Sequence, residues 1–417
     1  MKNESSNLGV GTNNPRRQRG ILIAQRSKIK KTSRGWRVPS QKKHTYYNVG
    51  YGRLDDKLSC TCPDYQERLE KCKHIFAVEH LTEKEGTKEN LTRAKPIKPT
   101  YPQAWSAYDT AKTREKELFM ELLNDLCELI EQPEYEFGRP KLPMKDMIFA
   151  SALKVYSTFS LRRFMTDIKI AYEKSCISKK PCFSSVSHFM QKEELTPLLM
   201  QLIQISSFAL KNVETNFAVD SSGFSTSQFG RWYDFRYGKD QVKRIWIKAH
   251  LMCGVKTNIV TAIKLTHGYS NDTKEMPELV NTTAKSFKIE EVSADKGYLS
   301  KANMLSVMEH GGKVFIPFKS NSSGNASKSK IWKKMFHMFI YNQEEFLQHY
   351  HKRSNVETTF HMIKANFGTT VRSKNGIAQI NEVLLKILCH NICVVIQEMF
   401  ELGIEANFNN LNGAETK

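Results

Sequence analysis

Four residues in the first fifth of the chain have the types and spacing of a metal site. Cys60, Cys62, Cys72 and His74 read Cys-x-Cys-x(9)-Cys-x-His. Three thiolates and one imidazole are a tetrahedral Zn²⁺ donor set, and four protein ligands make such a site closed and structural, without catalysis at zinc. The competing reading is a group of unmetallated buried thiols. His80 is a further imidazole, placed where a helix residue would cap or pack.

A second set of residues could do chemistry with oxygen ligands. Asp220 ends the apolar run NFAVD and is followed by Ser221, Ser222 and Gly223; Asp295 ends EEVSAD and is followed by Lys296 and Gly297. An acid at the end of a buried strand is costly unless it is exposed or ligated. Two of them suggest convergence at one sheet edge, where open α/β sheets bind ligands. Asp-Ser and Asp-Lys-Gly are also good turn sequences, so each acid alone is equally a turn opener. Tyr350, Arg353, Glu357 and Lys364 fall at about 0°, −60°, −20° and −40° on a helix, one narrow stripe over roughly 21 Å. Val356, Phe360, Ile363 and Phe367 form an adjoining apolar stripe. The pattern fits a helix that buries one stripe and points an acid, two cations and a phenol along a cleft. It equally fits an amphipathic helix with a solvated face.

These residues need elements to hold them. Trp36, Val38, Tyr46, Tyr47 and Val49 predict a short hairpin before the cysteines, and HIFAVEHL a helix after them. Residues 83–104 carry three prolines and no hydrophobic period and are expected as a linker. Leu118, Leu122, Leu123, Leu126 and Ile130 mark a helical face, and residues 145–210 read as several short helices. From residue 215 the order is β-β-β-α-β-α-β, followed by two long helical segments, 331–367 and 379–401. That order predicts a mixed sheet with helices on its faces. Asp272, in NDTKE with Glu275 three residues on, reads as a structural cap rather than a metal ligand. Trp232 and Tyr233 are candidates for stacking on a base or for packing a turn.

The composition says which partners to expect. The 417 residues carry 63 Lys+Arg against 43 Asp+Glu, a formal charge of +20, and residues 1–50 hold twelve Lys/Arg and one acid. Such a segment attracts polyanions, through phosphate contacts and counterion release. An anionic membrane surface has the same charge complementarity. No uninterrupted apolar run reaches the about 18 residues of a membrane span, and no secretory signal is visible. No membrane partner is expected, and the location expected is cytoplasmic, or nucleoid-associated in a prokaryote. Nine cysteines, an odd number in a long chain, do not read as a disulfide framework. Cys389 and Cys393, four apart on an apolar helix, read as core.

The segment YHKRSNVETTFHMIK has the spacing Tyr-(2)-Arg-(3)-Glu-(6)-Lys. It resembles the signature around the last catalytic acid of a large group of bacterial and archaeal insertion-sequence transposases with an RNase H-like DDE domain. AVDSSGF resembles the first Asp motif of that group and SADKGY the second, and the likeness covers about residues 215–400. GWRVPS, YYNV, CTCPDY and CKHIFAVEH resemble the SWIM zinc finger over about residues 35–82.

The first resemblance implies a DNA transposase, a polynucleotidyl transferase and endonuclease that cleaves and transfers strands at insertion-sequence ends. It implies Asp220, Asp295 and Glu357 as catalytic acids, with two Mg²⁺ (or Mn²⁺) per active site. Asp220 would bridge both ions, Asp295 would hold one and Glu357 the other. Arg353 would clamp a phosphate, with Tyr350 and Lys364 on the DNA backbone. The partners implied are transposon-end and target DNA, bound by a homodimer. The second resemblance implies one structural Zn²⁺ on Cys60, Cys62, Cys72 and His74. The competing reading is a transposase-derived DNA-binding protein without catalysis; a third, a zinc-dependent adaptor, leaves the C-terminal half idle.

The architecture expected is α/β: an RNase H-like mixed sheet with flanking helices, preceded by a helical region and a small zinc-binding module. The boundaries expected are a basic disordered tail at 1–34, the zinc finger at 35–82, the linker at 83–104, a helical region at 105–210 where related enzymes bind DNA, the catalytic domain at 215–401 and a tail at 402–417.

Overall fold

Apolar and polar side chains alternate in WRV and YNV, and in the computed structural model of the chain these segments pair as antiparallel strands. The structure describes residues 15–32, 35–40, 45–51, 58–91, 104–134, 137–138, 140–226, 236, 246–319, 321–324, 329–406 and 408. Trp232 and Tyr233 lie outside these. The chain divides into two units, Met1–Thr100 and Tyr101–Lys417.

The first unit starts with helix α1 (Pro15–Arg26) and continues as strands β1 (Lys30–Thr32), β2 (Gly35–Pro39), β3 (Tyr46–Tyr51) and β4 (Leu58–Cys60), paired in that order. Trp36 and Cys60 both face Val49 across the ladder, so the strand period brings these apolar residues to one face. Helices α2 (Pro63–Arg68) and α3 (Lys73–Leu91) follow. The core is Ile23, Trp36, Val38, Val49, Ile75, Ala77 and Val78, together with the three clustered cysteines.

Two expected boundaries are corrected here. The tail expected at 1–34 contains α1 and β1, because GILIA supplies an apolar stripe that buries Ile23. Gly20 makes this docking possible: a Cβ there would lie 2.6 Å from both Lys73 O and Phe76 Cβ of α3. The linker expected at 83–104 begins as helix, since α3 continues to Leu91. Its first proline is Pro96, so no ring interrupts the hydrogen-bond ladder sooner.

In the second unit, helices α4 (Trp105–Glu128), α5 (Met144–Ser157), α6 (Met165–Glu173), α7 (Phe183–Phe189) and α8 (Leu195–Ser207) precede the sheet. Strands β5 (Asn216–Ser225), β6 (Trp246–Gly254) and β7 (Val260–His267) come next, then helix α9 (Met276–Ala284), strand β8 (Glu291–Ala294), helix α10 (Lys301–Glu309) and strand β9 (Lys313–Phe315). The sheet order is β7-β6-β5-β8-β9. Strand β6 is antiparallel to both neighbours, while β8 is parallel to β5 and β9 to β8. This is the mixed sheet that the element order predicts, in an RNase H-like arrangement.

The long helix expected over 331–367 is instead three helices, α11 (Lys330–Tyr341), α12 (Gln343–Tyr350) and α13 (Ser354–Phe367), with a 3₁₀ turn over His351–Arg353. Asn342, at φ −118° and ψ 53°, leaves the helical region at the first break. Helix α14 (Gly376–Glu401) starts three residues before the expected 379, because Asn375 caps it by accepting from the Ile377 and Ala378 N–H groups. This helix is long and apolar enough to cross a membrane, but 83% of its apolar window is buried inside the protein.

The sheet separates two cores. Phe217, Val219, Met252, Val292 and Ala294 face one, with α9, α10 and α11. Ala218, Phe224, Ala249, Leu251 and Cys253 face the other, with α4, α5, α8, α13 and α14. The helical region expected at 105–210 therefore shares its core with the sheet. Asn391 of α14 ties them: its side chain accepts from Val260 N and donates to the Ile203 and Val260 carbonyls at 2.9, 3.2 and 2.8 Å. Val186 and Phe189 of α7 are buried in this core.

Candidate active site and zinc centre

Asp220 does not end its strand, as the sequence suggests; it is the fifth residue of β5. What ends near it is the parallel pairing. Val219 stands beside Ala294, so the next residue on each chain is an aspartate, Asp220 beside Asp295. Asp295 keeps an extended backbone at φ −66°, ψ 158° and opens a 3₁₀ turn. With a period of two, both carboxylates project to the face of Ala218 and Ser293, the face that α13 covers.

The third acid comes from α13. Arg353, just before that helix, donates Nη1 to Asp220 Oδ2 at 2.6 Å and Nη2 to Glu357 Oε1. One guanidinium thus joins the first and third acids. The Asp220 carboxyl is pushed above the usual range by burial, against the Ser221 N–H and the Arg353 charge; the Asp295 and Glu357 charges push it further up. Burial works against the charge of Arg353, but Asp220, Tyr350 and Glu357 outweigh it and hold the guanidinium more firmly protonated. Lys364 donates to Ser222 Oγ at 2.6 Å, and burial lowers its pKa. The Tyr350 ring centroid lies 6.0 Å from the Arg353 guanidinium. Of the stripe expected on one helix, Glu357 and Lys364 lie on α13, Arg353 in the 3₁₀ turn and Tyr350 at the end of α12. Arg353 and Lys364 meet β5 at Asp220 and Ser222, whereas Tyr350 packs partly against the core on the other face of the sheet.

Asp272 is not the cap that its sequence suggests. Asn271 caps the 3₁₀ turn by accepting from Thr273 N, while Asp272 pairs with Lys248 and lies 3.7 Å from His250. His250 is buried, and burial lowers its pKa to about 4. It sits 3.4 Å from the Tyr298 hydroxyl and 2.9 Å from Thr266 Oγ1. The Tyr298 phenol, in the turn after Asp295, is itself pushed up by burial. His250 and Tyr298 were not legible as a pair: they are 48 positions apart, and a lone histidine in a strand gives no sign. Glu291, at the start of β8, accepts from His349 at 2.9 Å and from Lys352 at 2.6 Å. It ties the strand leading to Asp295 to the turn that carries Arg353.

In the first unit the four predicted ligands are together. All four are buried, and their donor atoms lie within 4.8 Å of one another. His74 Nδ1 is 3.8 Å from both Cys60 Sγ and Cys72 Sγ. A tetrahedron with metal–ligand bonds of about 2.0–2.3 Å has edges of roughly 3.3–3.8 Å, so the set fits Zn²⁺ with little contraction. The Tyr47 ring packs on His74 at 4.8 Å. Hydrogen bonding from Cys60 holds the Cys72 thiol at about 3 against the effect of burial, with His74 helping. The Cys60 thiol is pushed up by the same bond and by burial, and the Cys62 thiol by burial first. His80 stays outside the cluster.

Residues 211–392 match the transposase DDE domain, and residues 48–82 match the SWIM zinc finger. No curated protein matches the chain. A solved structure described as a cryo-EM structure of piggyBac transposase synaptic complex with hairpin DNA aligns with a TM-score of 0.35 at 10% identity, covering 71% of this chain and 76% of that one.

Proposed function

From a chain that carries a transposase DDE domain behind a SWIM zinc finger, we propose a DNA transposase that cleaves and transfers strands at the ends of its own element. Asp220, Asp295 and Glu357 are its catalytic acids and the ligands of two Mg²⁺ (or Mn²⁺) ions. The observation that carries this reading is the convergence of the three acids on one face, two in parallel register and the third joined to the first through Arg353. Such ions, when bound, supply an activated nucleophile and a stabilised leaving oxygen. Three carboxylates with room for water and phosphate oxygens suit them.

The chain's own residues position the DNA. Arg353, whose two Nη atoms each hold a different carboxylate, has the planar fork that can instead grip one phosphate with both. Lys364 and Tyr350 contact the backbone near the cut. The SWIM module, with its zinc and the basic residues before it, serves end recognition. The active form is a homodimer holding two ends.

The test is strand cleavage of a duplex bearing the element's terminal repeats, with Mg²⁺ or Mn²⁺. Wild type should cleave and transfer; Asp220→Asn, Asp295→Asn and Glu357→Gln should each fall to background while binding the duplex as well as wild type. Near-wild-type cleavage by any one variant removes that residue from the site. Wild-type binding without cleavage in either metal favours a DNA-binding protein without catalysis.

A further inference from the structure

The second unit holds a cavity of about 480 Å³ that the acids do not line. One side of it is basic, with Lys154, Arg372, Lys374 and Lys386 against the single acid Glu382. Part of that charge is already engaged. Glu382 accepts the backbone N–H groups of Arg372 and Ser373 at 2.9 and 2.8 Å. Lys386 donates to the Gly368 and Thr370 carbonyls at 3.0 and 2.7 Å, and Arg372 donates to Thr158 O.

Among the described residues, the side-chain ammonium groups of Lys154 and Lys374 have neither a hydrogen bond nor an ion pair. Lys154 is the informative one. It stands on α5, is half-buried and lines the cavity. Burial lowers its pKa, and the Arg372 charge lowers it further. A half-buried ammonium next to a second cation is unfavourable without an anion to pair with. Among the described residues that line the cavity there is none beyond the already engaged Glu382.

Two routes give the position of this cavity relative to the acids. Along β5, Asp220 to Ser225 is five residues, roughly 17 Å at strand rise, and Ser225 pairs with Thr370, in the segment leading to Arg372. Along α13, Glu357 to Phe367 is ten residues, about 15 Å, and Phe367 lines the cavity. Lys364 stands between, its ammonium 5.3 Å from the Phe224 ring centroid, with the Lys386 ammonium 5.6 Å from the same ring. Duplex DNA rises about 3.4 Å per base pair, so these distances correspond to roughly four or five base pairs.

We propose that the cavity is a phosphate site, taking a backbone phosphate of bound DNA roughly four or five base pairs from the cleavage centre, with Lys154, Arg372 and Lys374 as its cations. It rests on the reading that the chain binds DNA. The test is a salt titration of full-length protein on a duplex of arbitrary sequence, comparing wild type with Lys154→Met. The variant should bind roughly tenfold more weakly, as expected for one lost charge-assisted contact. Its slope of log affinity against log salt should be shallower by about 0.9. Its melting temperature without DNA should not fall, since Lys154 has no protein partner to lose, and the same loss should appear in an Asp220→Asn background. Wild-type binding with an unchanged Lys154→Met slope overturns this inference alone, as does a fall in melting temperature that accounts for the weaker binding. Inorganic phosphate that raises the wild-type melting temperature, but not that of a Lys154→Met protein keeping the wild-type DNA slope, makes the cavity a free-anion site and overturns the DNA assignment. Wild-type protein that binds no duplex overturns the functional reading and this inference together.

Discussion

The zinc unit and the catalytic unit assemble their sites in opposite ways. Cys60 to His74 spans 14 positions, and the ligands come from one hairpin end and the start of the next long helix. Arg353 reaches Asp220 across 133 positions, through a sheet and two helical layers. The first unit's core is small and includes three of the ligands themselves, so its metal is part of what folds it. The second unit's cores are large and exclude the three acids, so its fold does not depend on them. A local site depends on its ion for structure; a site assembled from distant elements rests on structure made elsewhere.

The largest effect expected on this contrast comes from Cys62→Ser, or from chelation. The first unit should lose its one Zn²⁺, worth on the order of 10 kcal/mol in small zinc modules, and become protease-sensitive between residues 15 and 82. Residues 105–401 should stay protected. Elemental analysis with limited proteolysis reads both, and collapse of the whole chain would break the comparison.

Next in size is a pH effect confined to the catalytic unit. His250 has its pKa lowered by burial from 6.5 to about 4. The unfolded chain therefore binds a proton there before the folded one does, so stability is intact above about pH 6.5 and falls as the pH drops toward 4. The loss from this residue should approach about 3 kcal/mol at pH 4. His250→Asn should flatten that part of the profile in thermal melts, and an unchanged profile would exclude His250 as its source.

A smaller loss is expected from Gly20→Val. The added carbons meet Lys73 O and Phe76 Cβ of α3, an overpacking that costs about 1–3 kcal/mol. Zinc should still bind, more weakly. Deleting residues 1–34 should do the same and also reduce the salt slope of DNA binding, since twelve basic residues lie in the first fifty. A deletion that changes the salt slope while leaving zinc affinity untouched would mean that α1 does not support the module.

The smallest structural effect should come from the most damaging catalytic change. Burial raises the Asp220 carboxyl, so Asp220→Asn removes a half-buried charge among like charges and should leave the melting temperature unchanged or slightly raised. A clear drop would mean that the acid holds the fold together, contrary to the contrast drawn here.

How much could be read from the sequence follows the same division. The ligands of the zinc cluster are near neighbours, so their types and spacing nearly determine the site. Of the catalytic elements, strand order and type were legible because each strand is a continuous apolar run between turn residues. The apposition of Asp220 and Asp295 was only suggested, since register depends on pairing between distant segments. The break at His351–Arg353 was hidden, because the helical period runs through it with little phase error. The burial of α4–α8 against the sheet was also hidden: an apolar helix face does not name its partner. The docking of α1 turned on Gly20, whose missing side chain leaves no hydrophobic mark.

Helix α14 sits in the core shared by α4, α5, α8, β7 and α13, yet it follows all of them in sequence. On a ribosome working at about 5–20 residues per second, roughly fifteen to sixty seconds separate the start of α4 from the end of α14. For that interval α4, α5 and α8 can pack on one another and α8 on β7, but the faces that α14 covers stay open, and a chain stopped before residue 376 never closes them. Interrupted synthesis therefore leaves apolar surface on the second unit that chaperones and proteases can recognise.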